Sequence, residues 1–381
     1  MSWWGTSAPC SIGNNDQVTD AYAAAGVDTE QADRGVAAIV GVLKTIETGR
    51  ESLTVPLPGH YASVMRLPGA LAPNVGIALA TDSVGSKVIV AEQTGRFDTI
   101  GIDCVAMNVN DLICVGAEPL ALLDYIAVEA AEPGLLEAIG RGIAAGAADA
   151  GVEVPGGEVC QVPEVLRGHP SPYGFDLVGS AFGVVELDKI IDGSDVRPGD
   201  AMIGLPASGV HSNGLTLARR ALLDDGQLTL DARPNALGGQ SVGDVLLEPT
   251  VIYVRAVLAL IRSQIAVHGL AHITGGGLLN LRRIGDNVGY AITDPLPSPP
   301  VFELIASCGG VAAAEMWEVF NMGCGFVVMV PAEQAGAAVD LLAGFHPGAS
   351  VIGEITDAAA VVELPGLGIR AAAGSDKLKQ S

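Results

Sequence analysis

The spacing of apolar positions changes several times along this 381-residue chain, and each change predicts an element. From Asp28 to Lys44 the spacing is helical behind a polar start, whereas residues 51–74, rich in Pro and Gly, read as loop. From Val75 the pattern predicts a strand to Thr81, a glycine turn, a strand from Lys87 to Ala91, a helix from Gly101 to Val115, a strand from Leu120 to Val128, a helix from Gly134 to Ala150 and a strand at Val152. After a strand from Phe175 to Glu186, the Gly, Asp and Pro of DKIIDGSDVRPGDAM read as an exposed connection, with a domain boundary near residue 187. The second half predicts a strand Ala201–Pro206, helices Gly214–Leu223 and Pro249–Arg262, a strand Ala271–Thr274, a helix Leu278–Ile284, a strand Phe326–Pro331, a helix Ala332–Ala343 and a strand Val351–Ile355. The fold class is therefore α+β with mixed α/β stretches. We expect a flexible lead over 1–20, an amino-terminal domain over 21–186 and a carboxyl-terminal domain over 187–381.

Composition narrows this picture. Hydrophobic residues make up 49% but aromatics only 4%, and the 50 glycines are scattered, which excludes disorder and collagen. A net charge of −23 with no basic run argues against nucleic acid as a partner and requires any phosphate site to be local. The six cysteines show no C-x-x-C spacing, which fits a reducing compartment. No stretch of eighteen uncharged apolar residues occurs, so we expect a cytoplasmic protein without a membrane partner.

Candidate chemistry concentrates between Ile77 and Asp124, where acids, amides and glycines interrupt an apolar fabric. Burying such groups unpaired is costly, so they need partners. In ATDSVGSK, Asp82 ends a strand, and Ser83, Gly85 and Lys87 offer amides and a cation, as a phosphate cradle would; a turn capped by Asp82 has the same local sequence. On the helix GIDCVAMNVNDLICVGA, Asp103, Asn110 and Asp111 fall within about 100° of one face, near Asn108. Such a face suits a metal or ligand, or loops that its side chains cap. Asp82, Asp103 and Asp111, with Glu158 at the edge of GGE, are candidate magnesium carboxylates.

Two glycine-flanked loops in the second half precede helices, where free amides attract anions. LPASGVHSNGLTL carries His211, Ser212 and Asn213, and AHITGGGLLNLRRI carries His272, Thr274, Gly275, Gly276 and Gly277. His211 is the acid–base candidate there, although an isolated histidine also serves structure.

In order, YAAAGVD, LATDSVGSK, FDTIGIDCVAMNVNDLICVGAEPLALLDY, GGE, IIDGSDVRPGD, ASGVHSNGL, EPTVIYV, AHITGGG, EMWEVFNMGCG and IGEI resemble the phosphoribosylformylglycinamidine cyclo-ligases, the aminoimidazole ribonucleotide synthetases of purine biosynthesis. The resemblance spans Tyr22 to Ile355. It implies a two-domain fold in a homodimer whose amino-terminal strands pair across the subunits, with a carboxyl-terminal α/β sandwich. The implied reaction is ATP-dependent: the formyl amide oxygen of formylglycinamidine ribonucleotide is phosphorylated, the amidine nitrogen attacks, and phosphate leaves as the imidazole forms. By resemblance, ATP and Mg2+ are the cofactors, Asp82, Asp111 and Glu158 serve the metal, and Lys87, His211 and Glu158 are the catalytic candidates. Asp82, Ser83, Gly85, Asp103, Asn108, Ser212, Asn213, Thr274, Gly275 and Gly276 would line the nucleotide and substrate sites.

Three stretches depart from the family pattern. Val40 stands where a lysine is usual, with Lys44 one helical turn on; His60 and Tyr61 replace Gly and Phe; and Gln161 replaces a glutamate after GGE. If that glutamate were an essential base, its amide replacement would lower activity. The alternatives are a sister enzyme of the ATP-binding superfamily or a nucleotide-binding paralogue without turnover. Selenophosphate synthetase would want a reactive cysteine that Cys10 matches poorly, the hydrogenase-maturation dehydratase a carboxyl-terminal cysteine, and thiamine-monophosphate kinase lacks the HSNG and EMWEVFNMGCG features.

Overall fold

A computed structural model describes residues 21, 29–43, 45, 52–67 and 72–380. The expected lead over 1–20, the YAAAGVD segment and Lys44 lie outside the described residues.

The helix expected near the start is α1 (Thr29–Leu43). Five strands then make the first sheet, in the order β1 (Ser63–Arg66), β2 (Val75–Ser83), β5 (Phe175–Glu186), β3 (Glu118–Val128), β4 (Glu153–Gln161). All neighbours are antiparallel except β3 and β4. Strand β5 shows why one face is covered: Phe175, Leu177, Gly179, Ala181, Gly183 and Val185 are buried, while the residues between them are only partly covered or exposed. On that face lie α3 (Ile100–Ile113) and α4 (Pro133–Ala150), after the short α2 (Lys87–Thr94).

Glycine decides how closely α3 and α4 meet. A Cβ on Gly101 would stand 2.2 Å from the Ile143 nitrogen, and one on Gly142 would stand 2.3 Å from the Asp98 oxygen. The two backbones are therefore in direct contact, which no larger residue permits.

The second sheet has eight strands in the order β13 (Lys379–Gln380), β12 (Ile369–Ala371), β11 (Val362–Leu364), β8 (Gly289–Ile292), β10 (Ser350–Thr356), β6 (Ala201–Pro206), β9 (Cys324–Val330), β7 (Gly269–His272). Strand β9, between β6 and β7, is buried along its whole length, as its unbroken apolar run requires. The helices of this half are α5 (Leu215–Arg219), α6 (Val242–Leu247), α7 (Val254–Ile261), α8 (Pro300–Gly309), α9 (Ala313–Val319) and α10 (Ala335–Ala343).

Four expectations need correction. Lys87–Ala91 is the start of helix α2, because Lys87, Val90 and Ala91 bury on one face, and this packing outweighs the strand preference of Val88, Ile89 and Val90. The supposed loop 51–74 contains β1, which pairs with β2 and bridges Thr54 through Met65. The helix expected from Pro249 begins only at Val254, and Leu278–Ile284 is largely a 3-10 turn, Gly277–Arg283.

Candidate functional site

The polar face of α3 meets the carboxyl-terminal half of the chain. Asp103 forms an ion pair with Lys87 at 2.7 Å, both side chains fully buried. The other Asp103 oxygen accepts from the Thr250 amide (2.8 Å), the Thr250 hydroxyl (2.6 Å) and the Ser212 hydroxyl (3.0 Å). Lys87 also donates to the Glu248 carbonyl at 2.7 Å. Burial lowers the Lys87 pKa, and the Asp103 charge opposes that shift. Two turns on, Asn110 donates to the Val251 carbonyl at 2.8 Å and accepts from the Tyr253 amide at 3.0 Å. The backbone of 249–253 is thus spent on α3 side chains rather than on a helix of its own.

Asp111, next along α3, is turned about 100° from Asn110. With Asp82 it lines a groove of about 700 Å3, whose lining also includes Tyr61, Thr274 and Arg283. Burial, and then the charge of Asp111, raises the Asp82 carboxyl pKa, so two acids share this end of the groove with no cation between them among the described residues. Asp82 accepts from the Ser83 amide at 2.7 Å, and Asn108 donates to its carbonyl at 3.3 Å. Asn108 fits there because Gly179 has no side chain: a Cβ would stand 2.4 Å from the amide nitrogen.

His272 holds Asp111 from the second sheet, its Nδ1 lying 2.8 Å from the carboxylate. The Asn110 amide nitrogen lies 3.5 Å from its Nε2, on the other side of the ring.

The HSNG loop is positioned differently from what an acid–base role would ask. His211 is buried at φ +61°, and its Nε2 accepts from the Ser208 amide at 3.2 Å. Burial, together with the charges of Lys87 and His272, holds its pKa well below the usual histidine value, so the ring is neutral. Gly325 makes room for the ring, since a Cβ there would lie 2.8 Å from its Cε1. Asn321 holds the loop by donating to the Gly209 carbonyl at 2.9 Å. Asn213 reaches toward Met107 and stands 3.2 Å from where a Cβ on Gly275 would be, so the two glycine-rich loops meet. Asn280 fastens the second loop by donating to the carbonyls of Thr274, Gly275 and Gly277, with Gly276 at φ +102°.

Of the expected magnesium set, Asp82 and Asp111 come together; Asp103, paired with Lys87, and Glu158 do not join them. Glu158 is exposed on β4, in the row Glu158, Tyr125, Val178, Ser83 across the sheet. That is three strand spacings from β2, roughly 14 Å. Among the described residues, no group of three His, Cys, Asp or Glu could hold a metal ion. Nor are Lys87, His211 and Glu158 gathered as a catalytic trio: the first two are buried in the seam between the sheets, and the third lies on an edge strand.

Residues 59–185 match the AIR synthase related protein N-terminal domain, and residues 197–364 match the C-terminal domain of the same description. A relative in Thermococcus kodakarensis named phosphoribosylformylglycinamidine cyclo-ligase is 48% identical over 324 residues, 84% of this chain and 91% of its own. One of the same name in Methanothermobacter thermautotrophicus is 44% identical over 345 residues, covering 90% and 96%. The chain belongs to the phosphoribosylformylglycinamidine cyclo-ligase family. Solved structures share the fold at lower identity. The hydrogenase maturation protein HypE in complex with ATP has a TM-score of 0.56 at 23% identity, covering 82% of this chain and 87% of its own. AaThiL complexed with AMPPCP and TMP has a TM-score of 0.59 at 15%, covering 89% and 95%.

Within this cyclo-ligase chain the three departures take definite places. Val40 is buried in α1. Gln161 is exposed at the end of β4, away from the residues that line the groove, with its amide 3.5 Å from the Glu129 carbonyl. Tyr61 is part of the groove, donating to the Asn280 carbonyl at 3.0 Å, and Arg283 lies 4.9 Å over its ring. Sequence reasoning missed Thr250, Tyr253 and Arg283 as contributors. EPTVIYV stood out only as a matching block, and its apolar run resembled a helix.

Proposed function

We infer that the protein catalyses the ATP-dependent closure of formylglycinamidine ribonucleotide to 5-aminoimidazole ribonucleotide, releasing ADP and phosphate. The observation that carries this reading is the groove end where Asp82 and Asp111 stand together, within a chain 48% identical to a named cyclo-ligase. Two adjacent carboxylates with no cation between them among the described residues fit Mg2+, which takes oxygen ligands and would neutralise phosphate charge. Asp82 and Asp111 would hold it, and the amides at Gly85, Gly275 and Gly276 would receive phosphate oxygens.

This chain's own contribution is positioning. Lys87 and Asp103, spent on each other, lock α2 and α3 to the loop at Thr250, and Ser212 joins that lock. His211 serves as a neutral prop for the HSNG loop rather than as an acid. Asn108 and Asn213 fix the floor and the far loop.

Homodimerisation belongs to the same reading, with residues 21–186 as the nucleotide-binding and dimerisation unit. The outer face of the first sheet exposes Leu79, Leu123 and Tyr125, which a second copy would cover. Glu158 lies on that same face and would reach a nucleotide only from the partner's side. Cys104, Cys114 and Cys324 are buried free thiols, as the cytoplasm favours.

Purified protein with ATP, Mg2+ and formylglycinamidine ribonucleotide should form ADP and aminoimidazole ribonucleotide, and Asp82→Asn or Asp111→Asn should lose at least about 100-fold in kcat/KM, the scale of a lost preorganised charge contact. Nucleotide binding by the wild type without ribonucleotide-dependent phosphate release would overturn the reading.

A further inference from the structure

Arg283 is set apart from most of the chain's other arginines. The chain has 43 acidic residues against 20 basic ones. Arg96, Arg141, Arg220, Arg233, Arg255, Arg262 and Arg370 each have a carboxylate within ion-pair distance. Arg283 makes neither an ion pair nor a hydrogen bond among the described residues, although it is half-buried. Its guanidinium lies 4.9 Å over the Tyr61 ring, and Tyr61 is itself fixed by its bond to Asn280. The contact with the ring leaves the donors of the planar fork unspent among the described residues. Both residues line the 700 Å3 groove that holds Asp82 and Asp111.

A guanidinium with no carboxylate partner among the described residues, lying over an aromatic ring in the lining of a groove, can take a bidentate oxyanion. We propose that Arg283, seated on Tyr61, is a specificity residue that takes a phosphate group of a substrate in this groove. The inference rests on the cyclo-ligase reading for the identity of the substrates. Two of them bring phosphate there, the 5′-phosphate of formylglycinamidine ribonucleotide and the polyphosphate of ATP. The chemistry recognised is the same in both.

The test compares wild type with Arg283→Ala and Arg283→Lys, using KM for each substrate, calorimetric binding of each substrate alone, and thermal melting to check the fold. Arg283→Ala should weaken one substrate by about 10-fold or more in both KM and calorimetric affinity, the worth of a charge-assisted fork. Arg283→Lys should recover only part of that loss, and added guanidinium ion should restore binding to Arg283→Ala, which a merely structural arginine would not allow. Loss confined to the ribonucleotide assigns the seat to its 5′-phosphate, and loss confined to ATP assigns it to the polyphosphate. Unchanged affinity for both in a folded Arg283→Ala, or a loss that guanidinium does not restore, overturns the proposal. An inactive wild type that still shows the Arg283-dependent binding would instead overturn the cyclo-ligase reading alone.

Discussion

Asp82, proposed above as a metal ligand, opposes the stability of its own fold. Its pKa is raised by burial and by Asp111, so the charged form is disfavoured in the folded state, and stability is lost as pH rises through the raised folded value. Asp82→Asn should therefore raise the melting temperature of the metal-free protein, by about 1–3 °C, while abolishing turnover. A lower melting temperature in differential scanning calorimetry would contradict this. His211 works in the opposite sense to a charged partner. Its folded pKa is lowered, so the unfolded chain takes up a proton first and stability falls as pH drops below the ordinary histidine value of 6.5. Urea midpoints measured between pH 7.5 and 5.5 should fall less steeply in His211→Gln than in the wild type, although His60 and His346, lowered by burial too, keep part of the slope.

Among the elements, α3 shows both what the sequence reveals and where it stops. Its boundaries and its polar face were legible, because Asp103, Asn110 and Asp111 interrupt a run that is otherwise apolar. What periodicity could not tell was which of these side chains face a ligand. The answer depends on residues 248–253, more than a hundred positions away, whose amides and carbonyls take up Asp103 and Asn110 and leave Asp111 to the groove. The same long-range demand hid the non-helical start of EPTVIYV, and the burial of Lys87 turned an apparent strand into α2. By contrast, β5 and β6 were readable to their ends, because strict alternation and an unbroken apolar run are local signals. Asn110→Ala would leave the Tyr253 amide and Val251 carbonyl unsatisfied and should cost about 2–4 kcal/mol of unfolding free energy, read from urea melts. Gly142→Ala should cost at least as much, by forcing α3 from α4; a loss under about 1 kcal/mol would mean that the helices shift freely.

For the whole molecule, the first sheet is covered on one face and bare on the other. Leu79 (41%), Leu123 (50%) and Tyr125 (42%) are too exposed to contribute fully to a monomer, and they lie on that bare face. Leu123→Glu should convert a dimer to a monomer in sedimentation velocity runs at micromolar concentration, with the second sheet intact. A wild type that sediments as a monomer would remove the dimer from the proposed function.

The bond between His272 and Asp111 joins a carboxylate on a helix of the first half to a strand of the second. A cation bound at Asp111 would therefore be felt by both halves, and the association of the halves would in turn be felt by the cation. Linkage of this kind is reciprocal: whatever free energy Mg2+ adds to the packing of one half on the other, that packing returns as metal affinity. A substitution in the seam far from the groove would then appear in a magnesium titration before it changed any group that touches a substrate.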